Sequence, residues 1–293
     1  MHQPVLLQEV ITFLDPKPGD RIIDGTVDGG GHAEAIIKKI MPGGKFLGLD
    51  WDGGMLAECK TRIAPRENIF LLHGNYADIK SILEKEKFGK ADGLLLDLGF
   101  SSDQLGRGRG FSFEDARADE PLLMTYDDSR KPVREILRTM PEKEIADIIF
   151  EFGGERFSRR IARAIAEREK RKPMMLAGEL AETVRNALPR GYEHGRIDRA
   201  TRTFQAFRIY ANGELENLGR ILDELDSIVK PGGRTVVISF HSLEDRIVKR
   251  AFRKYEKENK AEILAKKPIA PQAAEIRENP RSRSAKLRAI RML

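Results

Sequence analysis

The stretch from Gly19 to Asp50 constrains the fold more than any other part of this chain. Arg21-Ile22-Ile23-Asp24 reads as a short apolar strand and Gly25-Thr26-Val27-Asp28-Gly29-Gly30-Gly31 as a glycine-rich turn, followed by a helix over His32–Ile40 and a second strand over Lys45–Asp50. Met41-Pro42-Gly43-Gly44 supplies the breakers that end the helix. This is a βαβ unit. Further strands are predicted at Ile69–His73, Gly93–Asp97 and Arg234–Phe240, the last introduced by the turn Lys230-Pro231-Gly232-Gly233. Alternating strands and helices predict an α/β fold with a doubly wound parallel sheet.

That rhythm breaks between Gly99 and Arg234, a span too long for one crossover and almost free of strand-like runs. Helices are predicted within it at Pro132–Thr139, Glu142–Phe152, Glu155–Arg171 and Leu176–Leu188, punctuated by Gly153-Gly154 and Pro173. Thr203–Val229, apolar at Phe204, Phe207, Leu215, Leu218, Leu222 and Leu225, reads as one helix returning to the sheet with Gly213 tolerated inside it. The expected organisation is a sheet domain of residues 1–105 and 200–293, interrupted by an all-helical domain of residues 106–199.

Composition removes several classes of function. The longest apolar stretches, around Gly93–Leu98 and Thr235–Phe240, fall far short of the roughly 18 residues of a membrane span. Met1-His2-Gln3-Pro4 does not open a secretory signal, so a cytoplasmic location is expected. One cysteine and five scattered histidines write neither a disulfide framework nor a zinc cluster, and no metal is expected. Lysine and arginine total 52 against 46 acidic residues, a net charge of +6 that permits a polyanionic partner. The basic residues concentrate between Arg277 and Arg291, which reads either as an RNA-facing patch or as a solvated tail.

Three places can carry chemistry. The glycines of the Asp24–His32 loop let backbone approach a ligand at a helix N-terminus. The spacing does not match G-x-G-x-x-G, and Asp28 would repel a pyrophosphate while attracting the ammonium and sulfonium of S-adenosylmethionine. Asp50, at a strand end, can accept hydrogen bonds from both ribose hydroxyls, or it can cap the following helix. Asp97 ends the strand Gly93–Asp97 and is followed by Leu98-Gly99-Phe100. A carboxylate there can bind the N–H groups of an exocyclic amine, a poor nucleophile that must be oriented toward its methyl donor. The competing reading is an ordinary strand-end aspartate.

Several ordered blocks carry a resemblance: His2-Gln3-Pro4-Val5-Leu6-Leu7-Gln8-Glu9-Val10, Gly29-Gly30-Gly31-His32, Leu94–Gly99 with Ser101-Ser102-Asp103-Gln104-Leu105, Arg109-Gly110-Phe111-Ser112-Phe113, Ala200–Ala206, Ile238–Arg246 and Asn279–Arg288. Along nearly its whole length the chain resembles the bacterial 16S ribosomal RNA cytosine N4-methyltransferase family. The resemblance implies a class I (Rossmann-like) methyltransferase domain with a helical substrate-recognition insert, and S-adenosylmethionine as donor. It also implies methylation of a P-site cytidine in 16S rRNA within the small ribosomal subunit. A monomer or weak homodimer is expected. By position, the family's cofactor contacts fall on Gly30, Gly31, His32, Asp50, Tyr76, Asp97 and Gln104. Asp97, Ser101 and His241 are the candidate catalytic residues. Arg109, Phe111 and Phe113 are candidates for the base pocket, with Phe111 or Phe113 stacking on a flipped cytosine. Arg281, Arg283, Lys286 and Arg288, with Arg159, Arg160 and Arg163 on the insert, are candidates for phosphate contacts.

The chain departs from the family pattern at Asp28, where glycine is usual, at Phe100, where valine is usual, and over Leu123–Tyr126, which lacks an acid and an arginine. Two other readings therefore stand beside the first: a methyltransferase of the same fold with a different acceptor, and a catalytically silent ribosome-assembly factor. Cys59 lies in a helical stretch away from the strand ends, which argues for direct transfer rather than a cysteine adduct.

Overall fold

The computed structural model describes residues 4–98, 108–189, 191–192 and 198–293. The chain forms two compact units, one of Met1–Ser101 with Leu215–Leu293 and the other of Ser102–Glu214. Residues 200–214 thus group with the second unit, where the sequence reading had set them with the sheet.

The first unit is built on a seven-stranded sheet: β1 (Arg21–Asp24), β2 (Lys45–Asp50), β3 (Ile69–His73), β4 (Ala91–Asp97), β5 (Val229–Ser239), β6 (Ala261–Ile263) and β7 (Lys286–Met292). Their order is β3-β2-β1-β4-β5-β7-β6. β1 to β5 pair in parallel, whereas β7 runs antiparallel to both β5 and β6. The basic C-terminal stretch is therefore not a solvated tail. Leu287, Ala289 and Ile290 are fully buried, so β7 is held between two strands by its apolar positions. The Lys230–Gly233 turn sits inside the span of β5 as a register shift opposite Ala91 and Gly93, with Gly232 at φ 81°.

Helices α1 (Leu7–Leu14), α2 (Gly31–Ile40), α3 (Gly53–Arg62) and α4 (Ile79–Lys85) precede or connect the first strands. Neighbouring strand residues alternate between two apolar layers: Ile22, Leu95, Val236 and Ile238 in one, Ile23, Leu94, Leu96 and Val237 in the other. Burial on both faces explains why β4 reads as an uninterrupted apolar run.

The second unit holds α5 (Val133–Thr139), α6 (Glu142–Gly153), α7 (Ser158–Arg171), α8 (Ala177–Ala187) and α9 (Thr201–Asn212). Ile145, Ile149, Ile161, Ile165, Leu180, Val184 and Phe207 form its buried apolar set. Gly153 lies so close to α9 that a Cβ there would come within 2.5 Å of the Arg202 carbonyl oxygen.

The predicted helix Thr203–Val229 is three helices: α9, α10 (Glu214–Asp223) and α11 (Leu225–Ile228). Gly213 is not tolerated inside a helix; it ends one, at φ 62°, with its N–H bonded to the carbonyls of Ile209 and Tyr210. α12 (Ser242–Lys257) follows β5, and α13 (Ala273–Glu278) precedes β7. Among the described residues no helix is long and apolar enough to cross a membrane.

The sign of one substitution separates a helix interior from a helix terminus. At an interior position alanine would stabilise, but at the left-handed Gly213 we expect Gly213→Ala to destabilise by about 1 kcal/mol, read as a lower urea midpoint.

Candidate functional site

The carboxyl ends of β1, β2 and β4 converge where the strand order reverses. β1 pairs with β2 on one side and with β4 on the other, so chain connections leave in opposite directions from this point. Register sets the depth of each carboxylate. Asp24 stands opposite Gly48 on β2 and Leu95 on β4, so Asp50 and Asp97 each reach two residues farther, about 6.6 Å at strand rise. They flank the loop that follows Asp24.

That loop is tied to both flanks. The Asp28 N–H donates to Asp50 Oδ2 at 2.8 Å, and the Asp97 N–H donates to the Thr26 hydroxyl at 2.6 Å. Asp50 also accepts from the Asp52 N–H at 2.8 Å, while Asp52 caps α3 by accepting from Gly54 and Met55. The capping alternative for Asp50 thus falls to its neighbour. Thr26, Asp24 and Asp52 were not singled out from sequence; a threonine two residues after a strand-end aspartate is a common turn pattern and carries no distinctive signal.

Gly30 sits at φ 83° ahead of α2, whose start has no side-chain cap. A methyl group on Gly31 would come within 3.1 Å of Pro4, and one on Gly30 within 3.1 Å of the Cys59 sulfur. Cys59 is therefore not remote from the loop, which corrects the reading from sequence. Burial and the nearby charges of Asp24, Asp50 and Asp28 push its thiol up to about 12, so it is protonated at neutral pH.

His32 is buried beneath this loop. Its Nε2 lies 2.9 Å from the Val5 carbonyl and its Nδ1 lies 3.6 Å from Asp97 Oδ2. A carbonyl only accepts, so Nε2 carries a proton. Tyr76 opens the turn after β3; it is half-buried, with its Cβ 3.0 Å from where a Gly25 Cβ would stand.

The electrostatics of the edge are unusual. Burial raises Asp24 to about 7, with further pressure from Asp97 and Asp28, and raises Asp50 to about 8, with further pressure from Asp28 and Asp52. Such a cluster favours a cation or hydroxyl donors and disfavours another anion. Asp28 itself adopts φ 45°, the left-handed region that glycine occupies freely. The departure noted at this position in the sequence therefore has a backbone cost.

Other candidate residues are placed as follows. His241 is the N-cap of α12: its Nδ1 accepts from the Glu244 N–H at 3.4 Å, while Glu244 accepts from the backbone N–H groups of Phe240 and His241. Arg288 is buried and pairs with Asp245 at 2.7 Å; Lys286 reaches the same carboxylate at 3.4 Å. The two cations hold Asp245 below the usual carboxylate range against the opposing effect of its burial. Arg281 and Arg283 are exposed on the turn Pro280–Ser284. That turn leads into Lys286, which pairs with Ser239 at the end of β5, beside the Ile238–Asp97 pair. Ser101 and Gln104 lie outside the described residues, as does Phe100.

In the second unit the Arg109 guanidinium is bound by the Thr125 carbonyl at 2.5 Å and hydroxyl at 2.9 Å, the Asp127 carbonyl at 3.0 Å and Asp128 at 2.9 Å. Phe111 is buried and stacks on Tyr126 at 5.6 Å, which covers one face of its ring. Phe113 is half-buried against Phe204 at 4.5 Å and lines a 560 Å³ cavity with Arg185 and Asp198. Tyr126 also donates to Glu214 at 2.9 Å, so the Leu123–Tyr126 segment is structurally integrated.

A model of the MraW methylase family matches residues 1–293. A protein of Syntrophus aciditrophicus called Ribosomal RNA small subunit methyltransferase H is 43% identical, over 98% of this chain and 96% of its own length. Proteins of the same name from Thermotoga neapolitana and Kosmotoga olearia are each 45% identical, over 100% and 98% of this chain and 96% of their own lengths.

Three outcomes test the charge cluster. Asp24 and Asp50 bind protons more tightly folded than unfolded, where the ordinary value is 3.8. Their contribution is fully present below that value and is lost as pH rises through about 7 and 8, so thermal melts should fall from pH 5 to pH 9. Asp50→Asn should flatten that fall. Asp28→Gly, which removes both the backbone cost and one charge, should raise stability at pH 8 by about 1 kcal/mol in urea titrations.

Proposed function

This chain belongs to the MraW methylase family, and from that premise we propose that it methylates the exocyclic N4 of a P-site cytidine in 16S ribosomal RNA. In its coarser form the activity is S-adenosylmethionine-dependent methylation of small-subunit ribosomal RNA. The observation that supports the finer reading is the placement of Asp97, at the end of a central strand with its backbone fixed by Thr26 and its carboxylate 14% exposed beside His32.

The residues fit the cofactor. Asp50 offers a carboxylate fixed by two backbone N–H groups, the arrangement that can receive ribose hydroxyls. Tyr76 stands on the adjoining turn, where its ring can lie against adenine. The acidic surroundings suit a sulfonium and an ammonium, and the uncapped start of α2 suits the carboxylate of the same ligand. When bound, S-adenosylmethionine supplies an electrophilic methyl carbon and departs as S-adenosylhomocysteine.

Asp97 then acts on the acceptor. The cytosine N4 lone pair is delocalised into the ring, so the amine attacks only if its nitrogen is held in line with the methyl carbon. The Asp97 carboxylate accepts an N–H hydrogen bond, which orients the nitrogen and gains strength as positive charge develops there. On receiving the methyl group the amine would carry a surplus proton, which would pass to water or a nearby acceptor. The buried, protonated Cys59 is not a nucleophile for an adduct route. Arg281 and Arg283, exposed at the same sheet edge, supply phosphate contacts without base specificity.

The test is methyl transfer from labelled S-adenosylmethionine to unmethylated small subunits, followed by nucleoside mass spectrometry. N4-methylcytidine is expected, and another methylated nucleoside would reassign the acceptor. Asp97→Ala should lower turnover by roughly 100-fold or more while its circular dichroism spectrum is unchanged; near-normal methylation would remove Asp97 from the mechanism.

A further inference from the structure

We infer that the helical unit carries a site for a single-stranded RNA nucleotide, in the groove between α6 and the start of α7, with the base on Phe150 and its phosphate on Arg159 and Arg160. This rests on the proposed RNA substrate and adds a contact outside the sheet edge.

The groove has a volume of 390 Å³ and is lined by Phe150, Asp147, Arg156, Phe157, Arg159 and Arg160 among others. Phe150 is 60% exposed although it lies on a helix whose apolar positions Ile145, Ile148 and Ile149 are buried. An aromatic ring left in water at the wall of a concave site is an open stacking platform. Arg156 is exposed but not loose: its guanidinium lies 4.9 Å from the ring centres of both Phe157 and Tyr192. Arg159 and Arg160 are exposed and make no hydrogen bond or ion pair among the described residues.

The local charge balance favours an anion. Asp147, the acid lining the groove, is already paired with Lys143 at 2.8 Å. Glu155 is fully buried, and its carboxylate is taken by the Tyr192 hydroxyl at 2.9 and 3.0 Å and by the Phe157 N–H at 2.8 Å. Arg159 and Arg160 therefore sit in the first turn of a 14-residue helix, with Arg156 just ahead of its N-cap Phe157, where the helix dipole is positive and cations are disfavoured. A phosphate relieves that repulsion.

The aromatic ring selects the form of the RNA. In a duplex each base is already stacked between its neighbours, so only an unpaired nucleotide can lay its face on Phe150. An acidic protein segment would use the arginines without needing an exposed ring, which is why an RNA strand is the occupant assigned here.

The experiment uses the full chain and a single-stranded 12-nucleotide RNA containing 4-thiouridine, with a duplex of the same sequence as control. Crosslinks within residues 142–160 are expected. Phe150→Ala should weaken single-strand binding roughly tenfold with duplex binding unchanged. Arg159→Ala combined with Arg160→Ala should lower the salt slope of single-strand binding by about 1.4. Methyl transfer to small subunits is measured in parallel. Wild-type-like RNA binding by both variants, or crosslinks confined to other segments, would overturn the inference even if N4-methylcytidine forms. Loss of binding through Phe150 in a protein that yields no N4-methylcytidine would uphold the inference and overturn the acceptor assignment instead.

Discussion

Everything at the candidate site depends on the parallel pairing of β1 with β2 on one side and β4 on the other. That pairing carries Asp24, Asp50 and Asp97 to one edge of the sheet, and the register sets Asp50 and Asp97 beyond Asp24 on either side of the loop between them. The loop could not stand there on glycine flexibility alone. It is held by the Asp28 N–H on Asp50 and by the Thr26 hydroxyl on the Asp97 backbone, so both flanking strands fix its position. A one-residue slip of either pairing would turn Asp50 or Asp97 to the opposite face of the sheet and break the tie on that side.

Gathering these carboxylates is costly to the folded protein. Burial and mutual repulsion raise Asp24 and Asp50 to about 7 and 8, and Asp28 adds both charge and a left-handed backbone. A cation with hydroxyl donors at this edge would relieve part of that repulsion. The N-terminal segment contributes from the far side: Pro4 closes on Gly31, and the Val5 carbonyl holds the His32 ring whose other nitrogen faces Asp97.

Much of this was legible in the chain. The strand–glycine loop–helix–strand pattern located β1, α2 and β2 to within a residue, and Asp50 and Asp97 were recognised as strand-end carboxylates. Where the reading failed, the missing information was long-range. Gly213 reads as a tolerated helix residue until its φ of 62° shows a terminus. The segment after Arg277 reads either as an RNA-facing patch or as a solvated tail, and the tail is excluded only when β7 is seen between β5 and β6, with Arg288 paired to Asp245 across 43 residues of sequence. That Arg109 is held by Thr125 and Asp128, and that Phe111 stacks on Tyr126, is likewise invisible in the spacing of the chain.

The sequence by itself determined the fold class and which carboxylates end the central strands, because both follow from local periodicity and from which residue ends each strand. Tertiary structure decided which charges are available. Arg288 and Arg109 are consumed by internal partners, whereas Arg159 and Arg160 are left exposed beside Phe150. The physical reason is that a side chain's partner is set by three-dimensional neighbours, and pairing with a carboxylate or stacking against a ring leaves no mark on the spacing of residues along the chain.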